Sequence, residues 1–293
     1  ATTEQFIVLC HGDSLTYGHY AMGIAHWPYA YILQQLLDDD VKHAQQQQQQ
    51  QQPPPRRAVH VVEQGVSGEY TASMATRLDE TLAAAEKVGK KYDVVVVLGG
   101  TNDLSRAREH NTNELRDDIV GKLRAMLLRA KQHGAHPAII TVPDAAAKFD
   151  FYIRARNAVN ERIRELAAEV GATLIDITSQ LPHRHAASDV RKRLWDDSLH
   201  FKPPGYDVMG ALVYDALRDY FGQQLGVGGG SGGDAAVHVD GDGDGADDDG
   251  VAPCASLSER GQRAAEAAHS SRPDPMQEAQ RRWEEKHGGD GGL

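Results

Sequence analysis

Five short apolar runs alternate with helix-like stretches through the first 225 residues, and this alternation limits the possible folds more than any other feature. The runs are rich in Val and Ile and occupy residues 5–10, 58–63, 93–98, 137–142 and 173–177. Apolar residues recur at helical spacing in the stretches 27–37, 72–88, 114–133, 152–170 and 204–221. Apolar runs separated by helices predict a parallel sheet that is covered on both faces. We therefore expect an α/β fold of three layers, with a five-stranded parallel sheet in the middle.

The composition changes after residue 225. Residues 226–293 contain 14 acidic residues, 6 basic residues and 15 of the 29 glycines. Such a segment buries too little apolar surface to offset the entropy of ordering it. We expect one folded domain over residues 1–225 and a disordered, acidic, low-complexity tail over residues 226–293. A run of glutamine and proline over residues 45–55 is a second low-complexity segment, expected to bulge from a surface connection.

The charge and the lengths of the apolar runs argue against several partners. The net charge is −11, whereas a broad surface for nucleic acid or an anionic membrane needs excess positive charge. No apolar run approaches the roughly 18–20 residues of a membrane-spanning helix. The first residues lack the basic and then apolar pattern of a signal peptide. We expect a cytoplasmic protein without nucleic-acid partners or stable membrane insertion; protein partners of the tail stay open.

Polar segments follow four of the five predicted strands, and three of these segments contain glycine. They are residues 12–18 (GDSLTYG), 65–69 (GVSGE), 99–103 (GGTND) and 197–200 (DSLH). In open α/β sheets, ligands bind beyond the carboxyl ends of the strands. The four segments are therefore predicted to lie on one edge of the sheet and to form a site there.

These segments contain the groups that acyl transfer requires. Ser14 can act as a nucleophile, but a free hydroxyl is weak without an adjacent base. Histidine is the usual base, and His200 is available in the last segment. Asp197 can reach the other ring nitrogen of that histidine and fix its tautomer. The backbone N–H groups of Ser14 and Gly68 and the side-chain amide of Asn102 are candidate donors to the oxyanion.

Each of these residues also has a purely structural interpretation. Ser14 suits the N-cap of a helix that follows a strand. Asn102 suits a turn or a cap, and Asp197 with His200 suits a surface ion pair. It is the combination of the four segments that favours the catalytic interpretation.

The four segments resemble blocks I, II, III and V of the SGNH (GDSL-type) esterase and lipase superfamily. Their order and spacing match that family over residues 5–222. The resemblance implies a flavodoxin-like fold and a catalytic triad of Ser14, Asp197 and His200. It assigns oxyanion roles to Gly68 and Asn102 beside Ser14, and it implies neither a metal nor an organic cofactor.

Two details refine the resemblance. Residues 27–29 (WPY) resemble the small-ester members of the superfamily, of the isoamyl-acetate-hydrolysing kind. Block II departs slightly from the family, which often has Asn where Glu63 or Gln64 stands. The histidines His11, His19 and His26 lie near block I, but they lack the i, i+4 spacing of a metal site, and we expect none there.

The sequence therefore predicts a serine esterase that acts on carboxylic esters of small or short-chain acyl groups through an acyl-enzyme on Ser14. The low aromatic content of 6% favours short acyl groups. Two enzyme alternatives stay open: a carbohydrate O-acetylesterase, and a thioesterase or lysophospholipase with a longer acyl groove. An alternative of another class is a catalytically idle SGNH-fold binding module.

Overall fold

A five-stranded parallel sheet forms the centre of the protein. The structure, a computed structural model, describes residues 5–47 and 58–226. Its strands are β1 Gln5–Gly12, β2 Ala58–Gly65, β3 Val94–Leu98, β4 His136–Ile140 and β5 Thr173–Ile175. They pair in the order β2-β1-β3-β4-β5, the order of flavodoxin-like sheets. The predicted α/β fold with five parallel strands is confirmed.

Within residues 5–47 and 58–226, seven α-helices accompany the sheet. Their bounds are α1 Ser14–Tyr17, α2 Ala30–Gln47, α3 Thr71–Lys87, α4 Thr112–Gln132, α5 Asp150–Val170, α6 Ser188–Leu194 and α7 Pro203–Leu225. Two short 3₁₀ helices, Ala21–Gly23 and Asp103–Arg106, and a two-stranded ribbon of residues 19–20 and 25–26 complete the described elements. Among the residues described, no helix is both long and apolar enough to cross a bilayer.

Two apolar cores lie on opposite faces of the sheet. Successive strand residues point to opposite faces, and in β3 Val94 and Val96 join one core while Val95 and Val97 join the other. Helices α2 and α7 cover the first core, and α3, α4 and α5 cover the second. This division explains why β3 is apolar at every position.

The register of the sheet brings three of the predicted segments to one level. Gly12 is paired with Gly65 at the ends of β1 and β2. On its other side, Gly12 is paired with Leu98 at the end of β3. The segments that begin at residues 12, 65 and 99 therefore leave the sheet side by side.

The predicted helix over residues 27–37 has the wrong bounds. It begins at Ala30 and continues to Gln47, because glutamine is a good helix former and extends the last turns. Residues 45–47, at the start of the predicted insert, belong to α2. The rest of that insert and the predicted tail from residue 227 lie outside the described residues, so those predictions stay open.

Candidate active site

Ser14 begins α1 immediately after β1. Asp13 is the N-cap of this helix: its Oδ1 accepts a hydrogen bond from the backbone N–H of Leu15 at 2.9 Å. The interpretation of Ser14 as the N-cap is therefore wrong. The Ser14 side chain is left for other contacts, and the residue is 4% exposed.

A chain of hydrogen bonds joins Ser14, His200 and Asp197. The Ser14 Oγ lies 2.9 Å from Nε2 of His200, and Nδ1 of the same ring lies 2.8 Å from Oδ2 of Asp197. The other carboxylate oxygen of Asp197 accepts the backbone N–H groups of Leu199 and His200 at 2.7 and 2.6 Å. A single antiparallel bridge between Trp195 and Phe201 closes the loop that carries these residues.

The electrostatics of this chain favour one tautomer of His200. Burial alone would raise the pKa of Asp197, but hydrogen bonds from the backbone and the side chain of His200 outweigh it, and the pKa lies below its ordinary value. An ionised Asp197 is only an acceptor, so Nδ1 of His200 carries the proton. The unprotonated Nε2 then faces the Ser14 hydroxyl and can accept its proton.

The three candidate oxyanion donors lie in the segments after β1, β2 and β3. Gly68 has a φ of 78°, which favours glycine, and the position of its absent Cβ faces open space. Within the described part of the chain, the backbone N–H groups of Ser14 and Gly68 have no hydrogen-bond acceptor. One N–H of the Asn102 amide donates to the carbonyl of Glu69 at 2.9 Å, which leaves its second N–H for a ligand.

Three residues near the site have no site role in the sequence-based predictions. His19 stacks on His200 with a centroid distance of 4.4 Å, although they are 181 positions apart in the chain. Asp103 accepts the backbone N–H and the hydroxyl of Thr71 and so holds the start of α3. Arg77 contacts the segments after β1 and β2. In the sequence, a charged residue between the apolar Met74 and Leu78 of a predicted helix could have marked Arg77 as a residue that faces the core; both neighbours are buried.

Two buried groups beside the nucleophile have strongly shifted pKa values. Burial and the charge of Arg77 lower the pKa of His11 to about 4, although its hydrogen bond to the Met74 carbonyl opposes the shift. Burial raises the pKa of Asp13 to about 7, and the nearby Asp103 adds to the effect. His11 is therefore neutral at pH 7. It lies in β1, its ring contacts Met74 and Arg77 of α3, and it is not part of the hydrogen-bond chain of Ser14.

Exposed apolar side chains are concentrated in the segments that neighbour the site in the chain or contact its loops. Five of the seven large apolar side chains exposed in the described ranges belong to segments beside Ser14 and His200: Met22, Ile24, Val66, Tyr70 and Phe149. The segment that contains Phe149 contacts the loop of His200 through a hydrogen bond from the Ala146 N–H to the Ser198 carbonyl. Among described residues, no cluster of three or more His, Cys, Asp or Glu could hold a metal ion.

Comparisons with known proteins identify the family and the fold. The model of the GDSL-like lipase/acylhydrolase family matches residues 10–208. A comparison with curated proteins finds no match.

Three solved structures illustrate the shared fold. A variant of Axe2, an acetyl xylan esterase from Geobacillus stearothermophilus, has 18% identity and a TM-score of 0.53, covering 73% of this chain and 95% of that one. A lipase/acylhydrolase from Enterococcus faecalis has 21% identity and a TM-score of 0.50, covering 74% and 97%. TesA has 18% identity and a TM-score of 0.52, covering 73% and 98%.

Proposed function

The chain belongs to the GDSL-like lipase/acylhydrolase family, and we propose that it is a serine esterase that hydrolyses carboxylic esters of small or short-chain acyl groups. The observation that carries the proposal is the chain of hydrogen bonds from Ser14 through His200 to Asp197. Nucleophile, base and orienting carboxylate within hydrogen-bond reach of one another are the arrangement that activates a serine.

Acylation begins when the Ser14 Oγ attacks the ester carbonyl carbon. His200 Nε2 takes the hydroxyl proton as the new C–O bond forms, and Asp197 stabilises the resulting imidazolium. The carbonyl oxygen becomes an oxyanion, which the N–H groups of Ser14 and Gly68 and the free N–H of Asn102 stabilise. The intermediate collapses when His200 returns its proton to the departing alcohol, leaving an acyl-enzyme on Ser14.

Deacylation uses the same groups, with water in place of the Ser14 hydroxyl as the nucleophile. Water attacks the acyl carbonyl while His200 Nε2 takes one of its protons. The oxyanion of the second tetrahedral intermediate is stabilised by the same three N–H donors. It collapses when Ser14 Oγ leaves and takes the proton from His200, which releases the carboxylic acid and restores the enzyme.

The surroundings of the site bear on the choice among substrates. The exposed apolar side chains of the segments beside the site favour esters with an apolar acyl or alcohol group over a carbohydrate O-acetylesterase, whose substrate presents hydroxyl groups. Trp27 and Tyr29, in the stretch that resembles small-ester enzymes, are buried and pack in the core. The stretch therefore supports the proposal only as a family resemblance, because these buried side chains do not line a surface that a substrate could contact.

A rate series over p-nitrophenyl esters of increasing acyl length tests the proposal, with Ser14→Ala as the control. We expect the highest kcat/KM for the short acyl groups and no turnover in the control. A maximum at long chains would favour the thioesterase or lysophospholipase alternative. Failure of wild-type protein to hydrolyse any ester, together with failure of a fluorophosphonate to label Ser14, would favour the idle binding module.

A further inference from the structure

The guanidinium of Arg77 in α3 uses all five of its N–H donors within the described residues. Nε and Nη2 bind the Glu69 carboxylate at 3.1 and 2.5 Å. Nη2 also donates to the Gly12 carbonyl at 2.9 Å. Nη1 donates to the Gln64 carbonyl at 3.1 Å and to Nδ1 of His11 at 3.2 Å. Lysine has three donors and no planar fork, so it cannot reproduce this pattern.

These contacts connect the two segments that carry the backbone oxyanion donors. Gly12 is two residues before Ser14, and its carbonyl also accepts the N–H of Val66 at 3.0 Å. Gln64 and Glu69 stand on either side of the short loop that contains Gly68. The positions of both backbone donors therefore depend on groups that Arg77 holds.

The third donor is linked to the same ion pair. The backbone carbonyl of Glu69 accepts a hydrogen bond from the Asn102 side chain at 2.9 Å, and the Glu69 carboxylate is bound by Arg77. The side chains of Arg77 and Glu69 are only 23% and 10% exposed. Water screens such a pair less than a surface pair, so the ion pair can fix the geometry of the loop.

On the basis of the esterase function proposed above, we propose that Arg77 is a positioning residue for the oxyanion hole. It acts through the Glu69 carboxylate and the Gly12 carbonyl, which hold the donors of Ser14, Gly68 and Asn102 at one place. Donors that are fixed before the reaction stabilise the oxyanion without a cost of reorganisation. Because the oxyanion exists only after attack, loosening the donors should lower kcat and change KM little.

Arg129 provides a matched control. Its guanidinium also makes an ion pair with two acids, Glu86 at 3.0 Å and Asp79 at 2.7 Å, and its side chain is 21% exposed. This pair joins α3 and α4 and contacts none of the segments that carry the donors. Its partners Asp79 and Glu86 are 65% and 46% exposed, so water screens this pair more strongly. Arg129→Met should therefore leave kcat per folded molecule unchanged.

The experiment measures kcat, KM and melting temperature for Arg77→Met, Arg77→Lys and Arg129→Met with p-nitrophenyl acetate. We expect Arg77→Met to lower kcat roughly 10- to 100-fold, less than the loss of a whole donor. Arg77→Lys should recover part of this rate. If Arg77→Met keeps the wild-type kcat, or if Arg129→Met loses as much, the inference is overturned. Should Arg77→Met fail to fold, Arg77→Lys and Glu69→Gln carry the test.

A double variant tests the route through Glu69. If Arg77 acts through this carboxylate, the kcat loss of Arg77→Met with Glu69→Gln will be smaller than the product of the two single losses. A loss equal to the product would overturn the route. Ser14-dependent turnover by the wild-type protein separates this inference from the proposed function: turnover without an Arg77 effect refutes only the inference, whereas absence of turnover refutes both.

Discussion

Neutral, buried His11 should make the stability of the protein sensitive to acid. Its pKa falls from 6.5 to about 4 in the folded chain, because burial and the charge of Arg77 oppose protonation. Each unit by which the pKa differs between the unfolded and the folded chain corresponds to about 1.4 kcal/mol of unfolding free energy. His11 therefore contributes about 3 kcal/mol. Between these pH values the unfolded chain binds the proton more readily. The contribution is therefore complete above about pH 6.5 and is lost as the pH falls toward 4.

His11→Gln isolates this contribution. Glutamine does not titrate, and its amide can still donate to the Met74 carbonyl. We expect the variant to be less stable than wild type at pH 7. The difference in unfolding free energy should shrink by about 3 kcal/mol between pH 7 and pH 4. Urea unfolding followed by tryptophan fluorescence at several pH values measures this difference.

Asp13→Asn provides a control of opposite sign. The pKa of Asp13 is raised from 3.8 to about 7, so the folded chain binds this proton more readily. As the pH rises from about 4 to 7, Asp13 increasingly destabilises the folded state of the wild-type protein. Asp13→Asn removes this effect, so its unfolding free energy should rise relative to that of wild type over the same pH range. The reasoning about His11 would be refuted if the stability curves of wild type and His11→Gln ran parallel from pH 7 to pH 4.

Three further predictions concern the site and the packing. Asn102→Ala should lower kcat by about 10²–10³ with little change in KM; a lower melting temperature with preserved kcat would instead show that Asn102 only shapes its turn. Asp197→Asn should lower kcat by about 10⁴ and His200→Ala by about 10⁶, and equal losses in stopped-flow assays would contradict the orienting role of the carboxylate. Gly210→Ala should destabilise the fold by about 1–3 kcal/mol or more in thermal unfolding, because its Cβ would lie 1.9 Å from a methyl of Ile32; an unchanged melting temperature would contradict that contact.

Local patterns were enough to predict much of the fold. The apolar residues of β3 point into cores on both faces, as a run without alternation predicts. In the stretch predicted as helical over residues 114–133, every residue of the apolar stripe is buried: Leu115, Ile119, Leu123, Met126, Leu127 and Ala130. Element bounds were less predictable, because α2 continues through residues whose polar side chains show no periodic pattern.

The sequence identified Ser14, Gly68 and Asn102 because each lies in a short segment directly after a strand, and Asp197 and His200 because they lie in a short polar segment before the last helix. The structure brings Ser14, His200 and Asp197 into hydrogen-bond contact and links Asn102 to Glu69. Their catalytic roles remain predictions that the variants above test. The agreement has a physical basis: the carboxyl ends of parallel strands share one edge, so the strand order already limits which residues can meet.

What the sequence alone determined is therefore the alternation of strands and helices and the segments that end at one edge of the sheet. Both follow from local chain geometry and side-chain polarity. Only the tertiary structure decided that His19 stacks on His200 and that Arg77 binds the carbonyls of Gly12 and Gln64. These contacts join residues that are 13 to 181 positions apart, so no local periodicity records them. They arise because the packing of α3 and the loops over the sheet brings the groups together.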